Sequence, residues 1–420
     1  MRRILSGALA GCLILTLAGC DGQNVMSAEL TDAAEGVPGL VKSSRAYVFN
    51  GEEIGLTDLS VELFRQICCG GGNAMVSPLS LVTDLTMVAR GAKGETLKQM
   101  ENGLGGDADY MTAYLQYYLN NLPQTKNTKM TSANSVWIRD DEERLTVKDQ
   151  FLVDVREYFG AEVYRAAFDD ETVKDMNRWC SRKTDGMVKK MIEMLPDTDM
   201  IHLLNAICFD GAWQTPYEKG QVREDVFIAE NREGQNTDFM FSTEYSYLKG
   251  AHETGFVKPY KDGYSFVALL PEAGLSMKDY VQSMTGEGLR TLLFSASSEM
   301  VETAMPAFQM EYTADSETLI PVLQSMGMTD LFEMDRADLT GIGESSQGNL
   351  FVSSVVQKCF IEVDAEGTRA AAVTDIGMTE GAAPEPVEVK TVRLDRPFVF
   401  AIIDDQCGVP VFLGVVTEVA

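Results

Sequence analysis

Histidine is nearly absent from this chain, which has only His202 and His252 among its 420 residues. His202 stands in an apolar run, which favours a core histidine with satisfied hydrogen bonds, and His252 stands in a polar turn that favours a solvated one. The chain also lacks the Gly-x-Ser-x-Gly, His-Glu-x-x-His and phosphate-binding glycine-loop motifs. With so few general bases, hydrolytic or metal-dependent catalysis is disfavoured. We expect a protein that is not an enzyme and that binds no cofactor or metal.

Basic residues are also scarce, because 35 lysines and arginines face 63 aspartates and glutamates, for a formal net charge of −28. Binding to nucleic acid or to heparin-like polyanions needs clustered basic side chains that neutralise phosphate or sulfate. The composition therefore excludes nucleic acid as a partner, and the acidic surface is interpreted as a source of solubility.

The N-terminus has an apolar run, Ile4–Ala18, that is shorter than the roughly 20 residues of a membrane-spanning helix. It follows Arg2 and Arg3 and ends in Leu-Ala-Gly-Cys at Cys20, an arrangement typical of a secretory signal. This ending resembles the bacterial lipoprotein signal, in which the cysteine is acylated and becomes the new N-terminus. We expect a signal peptide at 1–19, lipid on Cys20 and a secreted, extracytoplasmic protein anchored to a membrane by lipid alone. The alternative is an ordinary signal peptide with a cysteine there by chance.

No zinc-binding spacing and no evident disulfide framework appear among the cysteines that follow Cys20. Several of them stand in apolar runs, where a free cysteine behaves as a small hydrophobic residue. These cysteines are Cys68, Cys69, Cys180, Cys208, Cys359 and Cys407.

The chain divides into a short N-terminal segment and one long domain. Residues 20–50 are rich in Gly, Ala, Ser and acidic residues without a sustained period, which predicts a lipidated tether. Residues 51–420 show no repeat and only one later linker-like stretch, 377–386. Apolar periodicity predicts helices at Leu56–Cys68, from Ser77-Pro78 onward, and at Val173–Ile192. Strand-like runs are Leu203–Phe209, Tyr264–Leu270, Phe351–Val363, Pro397–Ile403 and Val409–Val416. Helices followed by strands indicate an α+β fold with a largely antiparallel sheet.

The most informative segment runs from Phe360 to Met378. A strand-like run passes through Glu366-Gly367-Thr368 into Ala370-Ala371-Ala372, and the glycine offers a hinge without steric hindrance. Beyond Thr368, one set of alternate residues is small or apolar, whereas the other set contains both charges, Arg369 and Asp375. Because side chains alternate between the two faces of a strand, this loop is patterned as a half-buried strand. The alternative is an ordinary strand followed by an ordinary loop.

The hinge residues Glu366, Gly367, Thr368, Ala370, Ala371 and Ala372 resemble the hinge of inhibitory serpins. Further matches to that family follow in order along 55–420: Val76–Ser80, Gly91–Thr96, Tyr158–Glu162, Leu204–Trp213, Leu269–Glu272, Met305–Phe308, Met326–Asp330, Arg396–Phe400 and Phe412–Gly414. The resemblance implies a large, mainly antiparallel central sheet, two smaller sheets, eight or nine helices and an exposed reactive-centre loop at about 367–386. It also implies a monomeric inhibitor of serine proteases that traps the acyl-enzyme by inserting its cleaved loop into the central sheet.

Five residues match or replace serpin positions that govern opening of the central sheet: Ser77, Ser80, Asn205, Trp213 and Gln357. Gln357 stands where many serpins have histidine, but a polar network with the two serines and Asn205 is still expected. Arg369 and Ala365 both replace a common glutamate. The alternation puts Arg369 on the outward face, so we expect inhibition to be retained.

Family spacing from Gly367 puts the scissile bond at Gly381–Ala382. The loop is longer than in many serpins, so Glu380–Gly381 and Met378–Thr379 are alternatives. Small residues before the bond favour elastase-like or subtilisin-like proteases as targets, and the absence of Lys and Arg between Val373 and Val389 disfavours a trypsin-like one. Two other hypotheses are a non-inhibitory serpin that acts as a binding or scaffold protein, supported by Ala365 and Arg369, and a solute-binding lipoprotein, supported only by Cys20 and the acidic surface.

Overall fold

The computed structural model describes residues 31–42, 54–68, 70–368 and 389–419. Its helices are α1 (Ile54–Ile67), α2 (Pro78–Gly91), α3 (Gly94–Leu104), α4 (Ala108–Asn120), α5 (Asp149–Phe159), α6 (Asp170–Lys183), α7 (Met277–Ser283), α8 (Gly286–Phe294) and α9 (Ser316–Ser325). Its strands are β1 (Thr31–Asp32), β2 (Ala74–Val76), β3 (Thr128–Arg139), β4 (Leu145–Val147), β5 (Glu162–Ala166), β6 (Ile201–Ala212), β7 (Val222–Ile228), β8 (Gly234–Glu244), β9 (Tyr247–Lys249), β10 (Glu253–Pro259), β11 (Tyr264–Pro271), β12 (Val301–Pro306), β13 (Phe308–Ala314), β14 (Gly343–Ser345), β15 (Gln357–Val363), β16 (Gly367–Thr368), β17 (Lys390–Arg393), β18 (Phe398–Asp404) and β19 (Pro410–Val416).

Three large sheets organise these strands. The central sheet has the order β1-β5-β3-β6-β16-β15-β13 and is antiparallel except for the β3–β5 pair. A six-stranded sheet has the order β2-β19-β18-β11-β10-β9, and a four-stranded sheet has the order β17-β12-β8-β7. β14 and β4 form a separate pair. The large mainly antiparallel sheet, the smaller sheets and the helices seen in the described residues confirm the predicted α+β architecture.

Both faces of the central sheet are covered. One face contributes to the main core, which also takes in the six-stranded sheet and the buried helix α2. The other face carries a second apolar cluster, in which Trp179 and Met176 of α6 pack with Trp137 of β3 and Leu204 of β6. A strand inserted into this sheet would therefore have one face in the main core and the other toward α6.

The helix predicted at Val173–Ile192 is shifted and shorter, because α6 spans Asp170–Lys183. Asp169 caps its start by accepting hydrogen bonds from the backbone N–H groups of Glu171 and Thr172. Its end is set by Asp185 and Gly186, which adopt left-handed backbone conformations with φ of 49° and 80°.

The strand predicted at Phe351–Val363 begins only at Gln357. Before Gln357, the backbone forms hydrogen bonds with residues outside the sheet. The N–H of Val352 donates to the carbonyl of Leu331, and the N–H of Val355 donates to the hydroxyl of Ser316. The predicted order of helices followed by strands is also wrong, because β3 and β5 stand in the first half and α7, α8 and α9 in the second. The other predicted helices and strands lie within about three residues of the observed bounds.

Residues 31–42, within the segment predicted to be a tether, lie against the body of the protein. β1 pairs with β5 at the edge of the central sheet, Asp32 forms an ion pair with Arg156 at 2.7 Å, and Ala34 is buried. The predicted signal peptide at 1–19 and the lipid-bearing Cys20 lie outside the described residues.

Candidate functional site: the hinge between two strands of the central sheet

Gly367 and Thr368 form the short strand β16, which lies between the C-terminal ends of β6 and β15. Gly367 pairs with Ala212 and Thr368 with Gly211 on one side, and Thr368 pairs with Val363 on the other. Both pairings are antiparallel. In the described part of the chain, β6 and β15 thus pair with Gly367 and Thr368 of the predicted hinge rather than with each other.

A tight turn brings the chain from β15 back into β16. The carboxylate of Asp364 accepts hydrogen bonds from the backbone N–H groups of Glu366 (2.8 Å) and Gly367 (3.1 Å). The N–H of Asp364 in turn donates to the carbonyl of Gly367 at 2.9 Å. A Cβ atom at Gly367 would lie 2.1 Å from the carbonyl oxygen of Gly211, so the close approach of the two backbones requires glycine here.

Trp213 donates two hydrogen bonds to this turn. Its indole N–H donates to the carbonyl of Asp364 (2.9 Å), and its backbone N–H donates to the carbonyl of Glu366 (2.9 Å). The indole stacks on Tyr260 with ring centroids 4.3 Å apart, and the hydroxyl of Tyr260 is hydrogen-bonded to that of Thr368. Trp213, which was identified from the sequence, therefore contacts the point at which the loop enters the sheet.

A buried ion pair between Lys258 and Glu244 lies next to Trp213, with the lysine over the indole ring. Lys258 is 1% exposed, lies 2.7 Å from Glu244, and places its ammonium 5.4 Å from the Trp213 ring centroid and 4.2 Å from that of Tyr217. Burial lowers the pKa of Lys258, and the neighbouring Glu244 carboxylate opposes that shift. The backbone N–H of Tyr217 also donates to the carbonyl of Ala365 at 2.8 Å.

The predicted polar network at the start of α2 is present. The side chain of Gln357 accepts from the N–H of Ser77 (3.0 Å) and donates to the carbonyl of Ser77 (2.8 Å). The Ser80 hydroxyl donates to the Asn205 side-chain oxygen at 2.5 Å, and Asn205 donates to that of Asn134 at 2.5 Å. β15 and β6 are thereby each tied to the first turn of α2, so separating the two strands would disturb these hydrogen bonds.

The sequence did not reveal Asn134, Glu244, Lys258, Tyr260 or Asp364 as members of this site. Lysine and glutamate are usually exposed, and nothing local marks Lys258 and Glu244 as buried partners 14 residues apart. For Asp364, an acidic residue three positions before a glycine was a usable turn signal.

Several predicted site residues lie outside the described residues: Ala370, Ala371, Ala372, Met378, Thr379, Glu380, Gly381, Ala382 and Cys20. The described range that contains β16 ends at Thr368, and the next described residue is Val389, just before β17 of the four-stranded sheet.

The two histidines noted in the sequence lie in different surroundings. His202 is buried, with Nε2 2.6 Å from the carboxylate of Asp199, and the side chain of His252 is exposed. Within the described ranges, no cluster of His, Cys, Asp and Glu has the arrangement of a metal site, and no helix is long and apolar enough to cross a membrane. The five cysteines in those ranges are free thiols.

In the large central sheet, the chain turns back after β15 and places β16 between β6 and β15. This arrangement agrees with the class of protein that the sequence comparison identifies. Residues 55–419 match the family model described as Serpin (serine protease inhibitor). The chain belongs to the serpin family, whose members are mostly protease inhibitors rather than catalysts.

Relatives and solved structures agree with this assignment. The chain is 30% identical to Iripin-5 of Ixodes ricinus over 82% of its length and 89% of the relative, and 27% identical to human antithrombin-III over 81% and 75%. The crystal structure of the thermophilic serpin tengpin in its native state gives a TM-score of 0.86 at 38% identity, covering 93% of this chain and all of that one. The latent state of tengpin gives 0.79 at 39% identity, covering 90% and 100%, so the described fold is closer to the native form.

Proposed function

We propose that this serpin inhibits serine proteases as a suicide substrate, with the cleaved loop entering the central sheet between β6 and β15. The observation that carries the proposal is the position of Gly367 and Thr368, already paired antiparallel with both strands. The protease serine attacks the carbonyl carbon of the scissile bond, the amine leaves with a proton, and an ester joins the two proteins. Insertion then has to precede hydrolysis of that ester.

Continuing the observed register extends the new strand along β6. The last two residues of β6, Gly211 and Ala212, are already paired with the hinge. The rest of β6, Ile201–Asp210, would lie opposite residues 378–369. On the other side, residue 374 falls opposite Gln357. Thr374 would then lie between Asn205 and Gln357, so insertion would rearrange the network at the start of α2.

This register agrees with the alternation of the loop sequence. Ala370 and Ala372 fall opposite Ile361 and Cys359 of β15, whose side chains are buried in the main core. Each further backbone hydrogen bond contributes about 1 kcal/mol net, and apolar burial about 25 cal/mol per Å². Over this length the gross gain is on the order of 10 kcal/mol or more, before the ordering entropy is subtracted.

The same register gives Arg369 a role. It falls opposite Asp210 of β6 and Glu362 of β15, on the face away from the main core. An arginine between two carboxylates on neighbouring strands is stabilising as a cross-strand pair. The replacement of the family's usual glutamate therefore favours insertion here.

We place the scissile bond at Gly381–Ala382, with Glu380–Gly381 and Met378–Thr379 as alternatives, and elastase-like or subtilisin-like proteases as targets. Residue 378 is the last that β6 can pair, so residues 379–381 would extend from the end of the sheet to the bound protease. The protein acts as a monomer, outside the cytoplasm, anchored to a membrane by lipid on Cys20. The N-terminal signal supports this location.

Mixing the full-length protein with pancreatic elastase or subtilisin tests the proposal. A covalent complex that resists SDS is expected, and mass spectrometry of the released peptide identifies the bond. Ala370→Asp, on the inward face, should convert the inhibitor into a substrate, whereas Ala371→Asp, on the outward face, should still trap the protease. Cleavage without a complex by every protease of these two classes would refute inhibition.

A non-inhibitory binding or scaffold role is the second candidate, favoured by Ala365 and Arg369 at positions where serpins commonly carry glutamate. The fold also resembles the complex of thyroxine-binding globulin with thyroxine, with a TM-score of 0.76 at 22% identity over 88% of this chain and 99% of that one. An unchanged melting temperature after loop cleavage would favour this candidate.

A further inference from the structure

A cavity of about 300 Å³ lies among α2, the first residues of β6 and the stretch before β15. Its walls are mainly apolar and include Leu81, Leu85 and Val88 of α2, Leu203 of β6, and Leu350 and Val355. A volume of this size is at the lower end of the range for small-molecule sites.

The carboxyl group of Asp84 interrupts this apolar wall. Residues 81, 84, 85 and 88 recur with helical spacing, so Asp84 belongs to the α2 face that lines the cavity. Its Oδ1 atom is buried and has no hydrogen-bond partner among the described residues. A buried carboxyl oxygen without a partner is unfavourable, and burial raises the pKa of Asp84 to about 8.

The other ionisable groups on the cavity wall have polar partners, although the Nε atom of Arg144 forms no hydrogen bond within the described residues. His202 lies 2.6 Å from Asp199, and Asp199 also accepts from the hydroxyl of Ser353. Arg144 pairs with Asp141 at 3.9 Å and donates to the carbonyl of Asp197 at 3.3 Å. Asp84 is therefore the acidic side chain on this wall whose buried oxygen has no partner within the described structure.

We propose that this cavity binds a small apolar amine, with its ammonium group on the Asp84 carboxylate, which releases its proton to solvent on binding, and its apolar body against the leucine and valine side chains. An ammonium group supplies a charge-assisted hydrogen bond, which is roughly twice as strong as a neutral one. The apolar walls bind the rest of the molecule by excluding water from it. A neutral alcohol of the same shape gains the burial but not the charge-assisted bond.

The cavity also overlaps the path that the inserted loop would take, and this part of the inference rests on the proposed function. In the register derived above, residues 376 and 378 fall opposite Leu203 and Ile201, which both line the cavity. Ligand and inserted strand would then compete for the same space, so an amine bound here would hold the sheet in its uncleaved form and slow insertion.

Isothermal titration of the full-length, uncleaved protein with 2-phenylethylamine tests the site, with 2-phenylethanol as the uncharged analogue. Saturable binding in the millimolar range or tighter is expected for the amine. Asp84→Asn, which keeps the side-chain shape, should weaken amine binding about tenfold and leave the alcohol unaffected. Equal amine binding by Asp84→Asn, or no saturable binding to the wild type, would overturn the proposal. The second result would leave water as the occupant of the cavity.

The loop-cleaved protein separates this inference from the proposed function. If both hold, amine binding is present before cleavage and lost after it. Retained binding in a cleaved protein that also shows no rise in melting temperature contradicts loop insertion but leaves the amine site intact. Retained binding in a cleaved protein whose melting temperature has risen contradicts the competition.

Discussion

Gln357 and Ser77 exchange two hydrogen bonds through the Gln357 side-chain amide and the Ser77 backbone, at 3.0 and 2.8 Å. Both residues are buried, and they are 280 positions apart in sequence. The pair fixes the first residue of β15 to the cap of α2. It thus lies at the position where the inserted strand would have to pass between β6 and β15.

Replacing Gln357 by Leu should destabilise the uncleaved protein by about 2 kcal/mol, because the buried N–H of Ser77 would lose its Gln357 acceptor and the carbonyl of Ser77 would keep only its bond from the N–H of Leu81. Urea unfolding measures this loss. Gln309→Leu, at an exposed position on the neighbouring strand β13, is the matched control and should change stability by less than about 0.5 kcal/mol. Equal effects of the two variants would mean that the pair does not stabilise the sheet.

Removing one member of the Lys258–Glu244 pair should lower the free energy of unfolding substantially. Lys258→Met leaves the buried carboxylate of Glu244 without its cation and with only the Ser242 hydroxyl as a donor, and a loss of about 3–5 kcal/mol is expected. The double variant Lys258→Met with Glu244→Gln should recover most of that loss in the same unfolding measurement. Lys174→Ala, which breaks an exposed pair with Glu171, serves as control and should have an effect below about 1 kcal/mol. A double variant no more stable than Lys258→Met alone would contradict this interpretation.

Arg369→Glu should affect the cleaved form more than the uncleaved form. In the derived register it places a third carboxylate beside Asp210 and Glu362, which should destabilise the inserted strand by about 1 kcal/mol and lower the melting temperature of the cleaved protein by about 2 °C. Adding Glu362→Lys should restore it. If Arg369→Glu leaves the cleaved form unchanged, Arg369 does not lie between those two residues.

Asp84 should give the stability a specific pH dependence. Its pKa is about 8 in the folded protein against an ordinary value of 3.8, so between these values the folded state holds a proton that the unfolded state has released. The free energy of unfolding therefore falls as pH rises through this window, by up to about 1.4 kcal/mol per pH unit from this group. Chemical unfolding at pH 5, 6, 7 and 8 should show a steeper decline for the wild type than for Asp84→Asn. Parallel profiles would contradict the raised pKa.

Local signals predicted much of the framework. Ser77 followed by Pro78 correctly marked the start of α2, and the continuous apolar runs correctly marked β11, β18 and β19, which are buried throughout. The stretch 351–356 was misassigned because its apolar content is that of a strand, whereas its backbone bonds to Leu331 and Ser316 from distant parts of the chain.

The site residues that are recognisable by their identity could be predicted from the sequence, but those that matter because they are buried could not. The hinge glycine and the loop alternation are visible in the sequence. The ion pair of Lys258 and the unpartnered carboxyl of Asp84 depend on which charged side chains the fold encloses, which no local pattern records.

Hydrogen exchange before and after cleavage of the loop tests the central claim most directly. If the cleaved loop enters the sheet, the amides that face the new strand become strongly protected, namely those between Ile201 and Asp210 not bonded to β3 and those between Gln357 and Glu362 not bonded to β13. Residues 369–378 become protected with them, and the melting temperature rises. Ala370→Asp should abolish these changes. Cleavage that leaves exchange in both strands and the melting temperature unchanged would contradict the account.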